Sequence, residues 1–362
     1  FASTTLPWAG TLTFHNDSFF RCEQVVKAAY GSVIDWAANA PQMKLTEFLS
    51  SWMNMMNLVV VPDKFQSNKV AMIPLMEYLE QGTIKDWTRK IDLSKDVVIT
   101  STTDYQARKN TWTYKQSNDF LNDAYFTEGL RVYGRLELLD PQNDFASSDN
   151  KIELMFGPNP NALISGTDYP IPKYISNTGQ YVNPTPRVLY RCSGNTIEVN
   201  IYDDAAYQIV SKSFDLFSHY SEVIPTLDSD DLNFGQEIPL HPISSTPYKT
   251  LYARFWNDYI DSIYAPDARI MDAFFAVSYA DIYDFQFNDK IFVKDAYWRV
   301  LDIQGYVIGT TESVKMKLIK IVEVEPACKN KPDQFIYVDG SVPFVDPDGN
   351  PVAATETCCV YY

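Results

Sequence analysis

Short runs of β-branched and aromatic residues, separated by polar turns, recur along the sequence and limit the folds that are open to it. The clearest case is KIFVKDAYWRVLDI, which begins at Lys290. Residues 290–293 and 296–303 are both β-forming, and Lys294 and Asp295 between them make the polar gap that closes a tight hairpin. The sequence therefore predicts a hairpin, and strand alternation places Tyr297 and Trp298 on opposite faces of its second strand.

Further runs predict strands in both halves of the chain. They lie at residues 58–61, 70–73, 97–103, 111–114, 132–139, 152–156, 268–277 and 313–324. Another hairpin is predicted from residues 188–191 and 196–202, with its turn at Ser193, Gly194 and Asn195. Helices are predicted where apolar residues recur at helical spacing, in residues 45–56 and 251–263, and after Ser117, which is a favourable helix cap.

Composition favours a mainly β protein. Hydrophobic residues make up 46% of the chain and aromatic residues 14%, and the 24 tyrosines outnumber the 14 glycines. This balance is typical of packed sheets with tyrosine-rich surfaces. We expect an α+β fold that is mainly β with a few helices.

The charge balance argues against sequence-independent binding of nucleic acid through its phosphates. The net charge is -16, from 46 acidic and 30 basic residues, and no block of Lys or Arg stands out. Sequence-independent binding of nucleic acid needs such a basic surface. No apolar run reaches the roughly 18 to 20 residues that cross a bilayer, so we expect no membrane insertion.

Signatures of catalysis and metal binding are weak. His15, His219 and His241 lack the spacing of metal ligands, and no nucleotide-binding or nucleophile motif is present. Paired aspartates are numerous, but in so acidic a chain they are poor evidence for hydrolysis. The run DPDGN at residues 346–350 indicates an Asp-Gly turn, with Ca²⁺ binding as the alternative. We expect no enzyme activity, no cofactor and no metal.

The cysteines do not show whether the protein resides in an oxidising or a reducing cellular compartment. There are five, at positions 22, 192, 328, 358 and 359, without CxxC spacing. Free or simply paired thiols are favoured, and a disulfide or metal cluster of Cys328, Cys358 and Cys359 is the alternative. The chain begins at Phe1 and ends in CCVYY, so we expect it to continue beyond both ends.

Aromatic residues leave a carbohydrate-binding interpretation open. Tryptophan rings that reach solvent can stack on sugars, and the candidates are Trp8, Trp87, Trp112 and Trp298. Each lies in or beside a predicted strand, where a half-buried tryptophan is expected in any case. Sugar binding is therefore the minority interpretation.

The order of segments resembles a known family. The passage LTEFLSSWMNMMNLVVVPDKFQSNKVAMIPLMEYLEQGTIKDWTRKIDLSKDVVI, which begins at Leu45, is followed by TYKQSNDFLNDAY and RVYGRLEL. These segments, with YAPDARIMDAFFAVSYADIYDFQFNDKIFVKDAYWRVLDIQGY from Tyr264, resemble tail-hub or baseplate-hub proteins of tailed bacteriophages, especially those of Bacteroidetes hosts. The CCVYY ending is similar to the cysteine-rich tail segments of those proteins. The resemblance covers residues 45–153 and 252–322.

The resemblance implies a structural virion protein built from β-barrels. Such a hub joins the tail tube or portal side to the tail tip and surrounds the DNA channel. The implied partners are copies of the chain itself, with a homotrimer favoured and a hexamer as the alternative, and other phage tail proteins. Genomic DNA would pass without specific binding. The implied location is the virion tail, assembled in the cytoplasm of the bacterial host.

Domain boundaries follow from the resemblance and from composition. Residues 1–156 are expected to form a first hub domain with a helix, hairpins and barrel strands. Residues 157–247, in part dense in Pro, Gly and Asn, are expected to form a loop-rich middle insertion with strands. Residues 248–325 would form a C-terminal barrel portion, and residues 326–362 a cysteine-containing tail segment that continues further.

Three aromatic residues are the candidates for subunit contacts. They are Trp87, Tyr297 and Trp298, because aromatic side chains on an outer sheet face can anchor a neighbouring subunit. The acidic composition adds the hypothesis of an acidic channel wall that repels DNA. The alternatives to a hub are a receptor-binding or carbohydrate-binding tail protein, and then a phage-associated cell-wall hydrolase domain.

Overall fold

The computed structural model describes most of the chain from residue 43 to residue 322. The described residues are 43–63, 66, 68–139, 146, 148–163, 170–172, 185–203, 208–237, 245–307, 309 and 312–322. They form a mixed structure with five α-helices and mostly sheet. The expectation of a mainly β chain with a few helices is confirmed.

The helices are short. They are α1 (Leu45–Met55), α2 (Leu75–Glu80), α3 (Phe120–Gly129), α4 (Asn257–Tyr264) and α5 (Tyr279–Asp284), with a π-helical turn at Tyr252–Trp256 and a 3-10 turn at Thr103–Tyr105. The helices predicted in residues 45–56 and 251–263 are confirmed. The third begins after Asp119 rather than Ser117, because the Asp119 side chain accepts the hydrogen bond from the Asn122 N–H.

The strands fall into five sheets within the described residues. They are β1 (Leu58–Pro62), β2 (Val70–Pro74), β3 (Ile84–Asp86), β4 (Val98–Ser101), β5 (Lys109–Thr113), β6 (Leu136–Leu139), β7 (Asp149–Glu153), β8 (Asn161–Leu163), β9 (Pro170–Pro172), β10 (Tyr190–Asp203), β11 (Gln208–Ser218), β12 (Arg269–Phe275), β13 (Lys290–Val293), β14 (Ala296–Gln304) and β15 (Val314–Lys320). The predicted 290–303 hairpin is present as β13 and β14. Its turn is tight, with Lys294 in the left-handed region at φ 59°.

The largest sheet has six strands in the order β3-β13-β14-β15-β12-β4. Adjacent strands in this sheet are antiparallel, except that β3 and β13 are parallel to each other. Alternate residues of the inner strands point into one core, so Met271, Ile291, Trp298 and Met316 are all buried. The sheet takes β3 and β4 from the predicted first domain and four strands from the predicted C-terminal portion.

No sheet among the described strands closes into a barrel. The six-stranded sheet is open, with β3 and β4 as its outer strands. The barrel part of the expected fold therefore stays a proposal.

A second core lies beside the three-stranded sheet β6-β5-β7. Trp112 on β5 is fully buried and contacts the rings of Tyr252 and Trp256 edge-on, with centroids 5.0 Å and 5.6 Å away. From α1, Trp52 contacts Phe156 in the same edge-on geometry. Aromatic pairs of this kind hold helix and sheet in one arrangement.

The prediction of a hairpin with its turn at Ser193, Gly194 and Asn195 is wrong. β10 continues through these residues and lies beside β11 in a two-stranded sheet. The Ser-Gly-Asn signal for a turn is local, and hydrogen bonding to a neighbouring strand overrides it. The part of these two strands within Ile197–Phe214 belongs to a separate compact unit from the rest of the described chain.

Replacing Trp298 by Ala is expected to lower the free energy of unfolding by about 3–5 kcal/mol, because a large buried ring is removed from the core. The Tyr297→Ala change on the opposite face should cost clearly less. Urea unfolding of both variants at one protein concentration measures the difference. Equal losses would contradict the placement of Trp298 as the core residue of the pair.

Candidate assembly surfaces

The residues predicted for subunit contacts have different surroundings. Trp87 is 2% exposed and Trp298 is 6% exposed, and both belong to the core of the six-stranded sheet. The ring of Trp87 packs against Phe275 and Phe285, with centroids 5.8 Å and 5.9 Å away. Both indole rings therefore contact their own chain and present little surface to a neighbour.

Tyr297 is the member of the set that reaches solvent. It is half-buried, on the face opposite Trp298, so the predicted alternation is confirmed. Its ring lies beside Phe292, with centroids 5.1 Å apart. Of the four tryptophans considered for sugar stacking, Trp87, Trp112 and Trp298 are buried, and Trp8 lies outside the described residues.

One face of the β1–β2 hairpin is apolar and exposed. Its cross-strand pairs are Val60 with Met72 and Pro62 with Val70, and all four side chains reach solvent, Val70 to 55%. We call these four residues the hairpin face. The loop beyond it is polar, with Lys69 and Asp63 in an ion pair at 3.8 Å. A two-stranded hairpin is marginal in water by itself, so a further layer on this face would stabilise it.

The outer strand β4 is a second exposed surface, with the apolar residues Val98 and Ile99. All four of its residues are exposed, Ile99 to 57%, although the sequence VITS is typical of a buried strand. β4 pairs with β12 on one side, and no described strand lies on its other side. The strand is predicted from the sequence but its exposure is not, because the position of a strand at the edge of a sheet depends on strand order.

A stacked pair of tyrosines lies on α5. Tyr279 and Tyr283 are one helical turn apart, with ring centroids at 6.0 Å and planes within 29°, and Tyr283 is 66% exposed. The helix begins with a capping box formed by Ser278 and Asp281, which fixes its first turn. Sequence reasoning did not single out these rings. The spacing of four residues on a short helix was the available signal.

A buried ionisable cluster lies where the chain after α3 meets residues 219–237. The Glu237 carboxylate accepts hydrogen bonds from the Tyr125 hydroxyl at 2.5 Å and the Gly134 N–H at 2.9 Å, and it pairs with Arg131. Burial raises the pKa of Glu237, and these hydrogen bonds and the Arg131 charge oppose that rise. The carboxylate thereby fixes the loop that follows α3.

Asp231 is the second carboxyl group of this cluster. Burial raises its pKa to about 7, although it accepts a hydrogen bond from the Asn233 N–H at 2.9 Å. Its Oδ1 lies 4.0 Å from His219 Nε2, which is 3.3 Å from the Tyr133 hydroxyl. Burial raises the pKa of Tyr133 as well. His219, which was expected to be a core or solvated histidine, is buried here.

A polar groove of about 410 Å³ lies over β5 and β7. Its lining includes Lys109, Arg135 and Lys151, and each of these cations pairs with a glutamate of the same surface. The groove therefore has little net charge to attract an ionic ligand. Across the described residues, no group of three or more His, Cys, Asp or Glu side chains is arranged to hold a metal ion.

Two comparisons with known proteins found no match to this chain. No protein-family model matches the chain, and no curated protein matches it. Within the described part of the chain, no helix is long and apolar enough to cross a membrane.

The raised pKa of Asp231 predicts a pH dependence of stability. Between its ordinary pKa near 3.8 and about 7, the folded state holds a proton that the unfolded state releases. Stability from this group therefore falls as pH rises through that window, by about 1 kcal/mol per pH unit. Asp231→Asn keeps an acceptor for the Asn233 N–H and has no charge, so its unfolding free energy should fall less between pH 5 and 8.

Urea unfolding at several pH values measures this effect. Asp267→Asn is the matched control, because Asp267 is an exposed loop residue. Its profile should follow that of the unmodified chain. Parallel profiles for Asp231→Asn and the unmodified chain would show that the Asp231 carboxyl does not set the pH dependence.

Proposed function

We propose that this chain is a structural subunit that acts by assembly, in a tail or baseplate hub of a tailed bacteriophage. The hub would join the tail tube or portal side to the tail tip and surround the DNA channel. Its partners would be copies of itself, in a trimer or alternatively a hexamer, and other tail proteins. DNA would pass without specific binding, and no catalytic role is part of the proposal.

The hairpin face is the observation that carries the proposal. Contiguous apolar side chains rimmed by polar residues mark contact surfaces, since an isolated monomer gains nothing from exposing them. Val60, Val70 and Met72 form such a group beside the polar Asp63–Lys69 loop. The finer identification as a phage hub is supported by the order of segments that resembles the hub family.

The face has the chemistry of a protein contact. Its side chains are aliphatic or thioether groups with no hydrogen-bond donor and no acceptor beyond the weak one of the Met72 sulfur, which suits packing against another apolar surface. The two strands of the hairpin pair in register along all five residues, from Leu58 with Pro74 to Pro62 with Val70. Backbone N–H and C=O groups of a sheet lie along its plane and its edges, so side chains are what this face offers to a partner.

Light scattering over a wide concentration range tests the assembly. We expect a discrete trimer or hexamer, and Met72→Lys should shift the mass toward monomer because it places a charge in the apolar contact. Gln66→Lys is the matched control, with the same residue introduced into the exposed loop of the same hairpin.

Two outcomes would count against the proposal. A monomer at every concentration would overturn assembly by the chain alone. An oligomer that Met72→Lys leaves intact would overturn the role of the hairpin face and leave assembly to other surfaces.

A carbohydrate-binding or receptor-binding tail protein is the second candidate function. The stacked, exposed rings of Tyr279 and Tyr283 favour it, because aromatic faces can stack on the apolar faces of sugar rings. These two tyrosines replace the buried tryptophans as the residues to test.

Glycan-array binding by the intact chain tests this alternative. Binding that Tyr283→Ala weakens at least tenfold, and that Tyr105→Ala leaves unchanged, would favour it. Tyr105 is the control because it is an exposed tyrosine on a different element, the 3-10 turn Thr103–Tyr105. No binding to any glycan, or equal loss in both variants, would remove the tyrosine pair as a sugar site.

A further inference from the structure

Among the residues that the structure describes, the outer edge of β4 lacks the features that keep sheet edges from pairing. Natural edge strands are protected by Lys, Pro, bulges or a covering element, since their free backbone groups otherwise pair with another chain. Residues 97–101 read VVITS, with no charge and no proline. The register between β4 and β12 runs from Arg269 with Ser101 to Asp272 with Val98 without a bulge.

Lys95, the lysine nearest to β4 in the sequence, does not protect this edge from pairing. The Lys95 ammonium lies 4.5 Å from the centre of the Phe274 ring. Phe274 is on β12, so this contact draws Lys95 toward its own sheet. The edge from Val97 to Ser101 therefore presents uncharged side chains beside backbone groups that no described strand pairs.

We propose that β4 pairs with β4 of a second copy of this chain, antiparallel about a two-fold axis at Ile99. This contact rests on the proposed function in its hexameric form, since a two-fold contact joins two rings of three subunits rather than neighbours within one ring. The result would be a continuous sheet of twelve strands, twice the six of one copy.

The two-fold axis determines which residues meet. An axis perpendicular to the sheet reverses the strand direction and keeps each face on its own side. Directly opposed residues must then lie on the same face, so their positions differ by an even number. With Ile99 opposite itself, Val98 faces Thr100 and Val97 faces Ser101, and no like charges are opposed.

This register joins apolar side chains of the two copies. Ile99 is the partner of Met271, so it lies on the side of the sheet that carries the core. Alternation places Val97 on the same side. Pairing would place two copies of Val97 and Ile99 in one strip beside Met271 of each copy, which removes their apolar surface from water.

The size of the contact sets its strength. Five paired residues span about 17 Å. A contact of this length buries less than the roughly 1,200–2,000 Å² of a stable complex. We expect edge pairing alone to depend on concentration, and other contacts in an assembly to reinforce it. A contact that depends on concentration in this way suits a subunit that assembles in stages rather than a permanent dimer.

Oxidative cross-linking of Ile99→Cys tests the axis directly. Residues opposed in an antiparallel pair have Cα atoms about 4.5–5.5 Å apart, within the range of about 4.4–6.8 Å that a disulfide bridges. A thiol cross-links to the same position of a second copy only where that position lies near the axis. We expect a covalent dimer that is reducible, and peptide mapping should join position 99 to position 99.

Thr100→Cys is the matched control on the same exposed strand. In the proposed register it faces Val98 and is offset from its own copy by two residues, so it should cross-link at least tenfold less. The unmodified chain, with its five native cysteines, gives the background. Equal cross-linking of both variants would overturn the register, and no disulfide at position 99 would overturn the edge contact.

Light scattering on the same samples separates this inference from the proposed function. An oligomeric chain without a disulfide at position 99 would overturn the edge contact and leave the hub proposal standing. A position-99 disulfide in a chain that is otherwise monomeric would support the edge contact and count against the hub.

Discussion

Strand pairing between distant parts of the chain is the constraint on which the structure depends. β3 and β4 come from residues 84–101, whereas the other four strands of their sheet come from residues 269–320. Backbone bonds join the two parts, from Trp87 N–H to the Phe292 carbonyl at 2.9 Å and from Asp92 N–H to the Phe274 carbonyl at 2.8 Å. Long-range pairing of this kind is slow to form, and it fixes which strands become the edges.

Side chains reinforce this junction at a single buried carboxylate. Asp289 accepts hydrogen bonds from the Thr83 N–H and hydroxyl, at 3.1 Å and 2.8 Å, and pairs with Lys85 at 3.0 Å. Burial opposes its ionisation, yet these contacts and the Gln286 N–H lower its pKa. Asp231 shows the opposite balance, because desolvation outweighs the hydrogen bonds of Asn233. The pKa values of these two buried aspartates are thus shifted in opposite directions, according to the donors that surround them.

Much of the local structure was predictable from periodicity. The hairpin from β13 to β14, the helix α1 and the hairpin from β1 to β2 all follow patterns of spacing and turn chemistry. The predicted turn at Ser193 failed because a neighbouring strand supplied hydrogen-bond partners that the local pattern does not encode. The exposure of the three candidate contact residues was predicted only in part. Tyr297 is accessible, but Trp87 and Trp298 are core residues, since burial depends on what packs above a strand.

The sequence by itself determined that this chain is mainly β, which segments are strands, and which side chains of a strand share a face. Those properties follow from steric preferences and from the two-residue period of a strand. Tertiary structure alone decided that the apolar segment at Ile99 lies at a sheet edge, that the hairpin face is exposed, and that Asp231 and Glu237 are buried together. The reason is that strand order and burial arise from contacts between residues far apart in the chain, which no local pattern specifies.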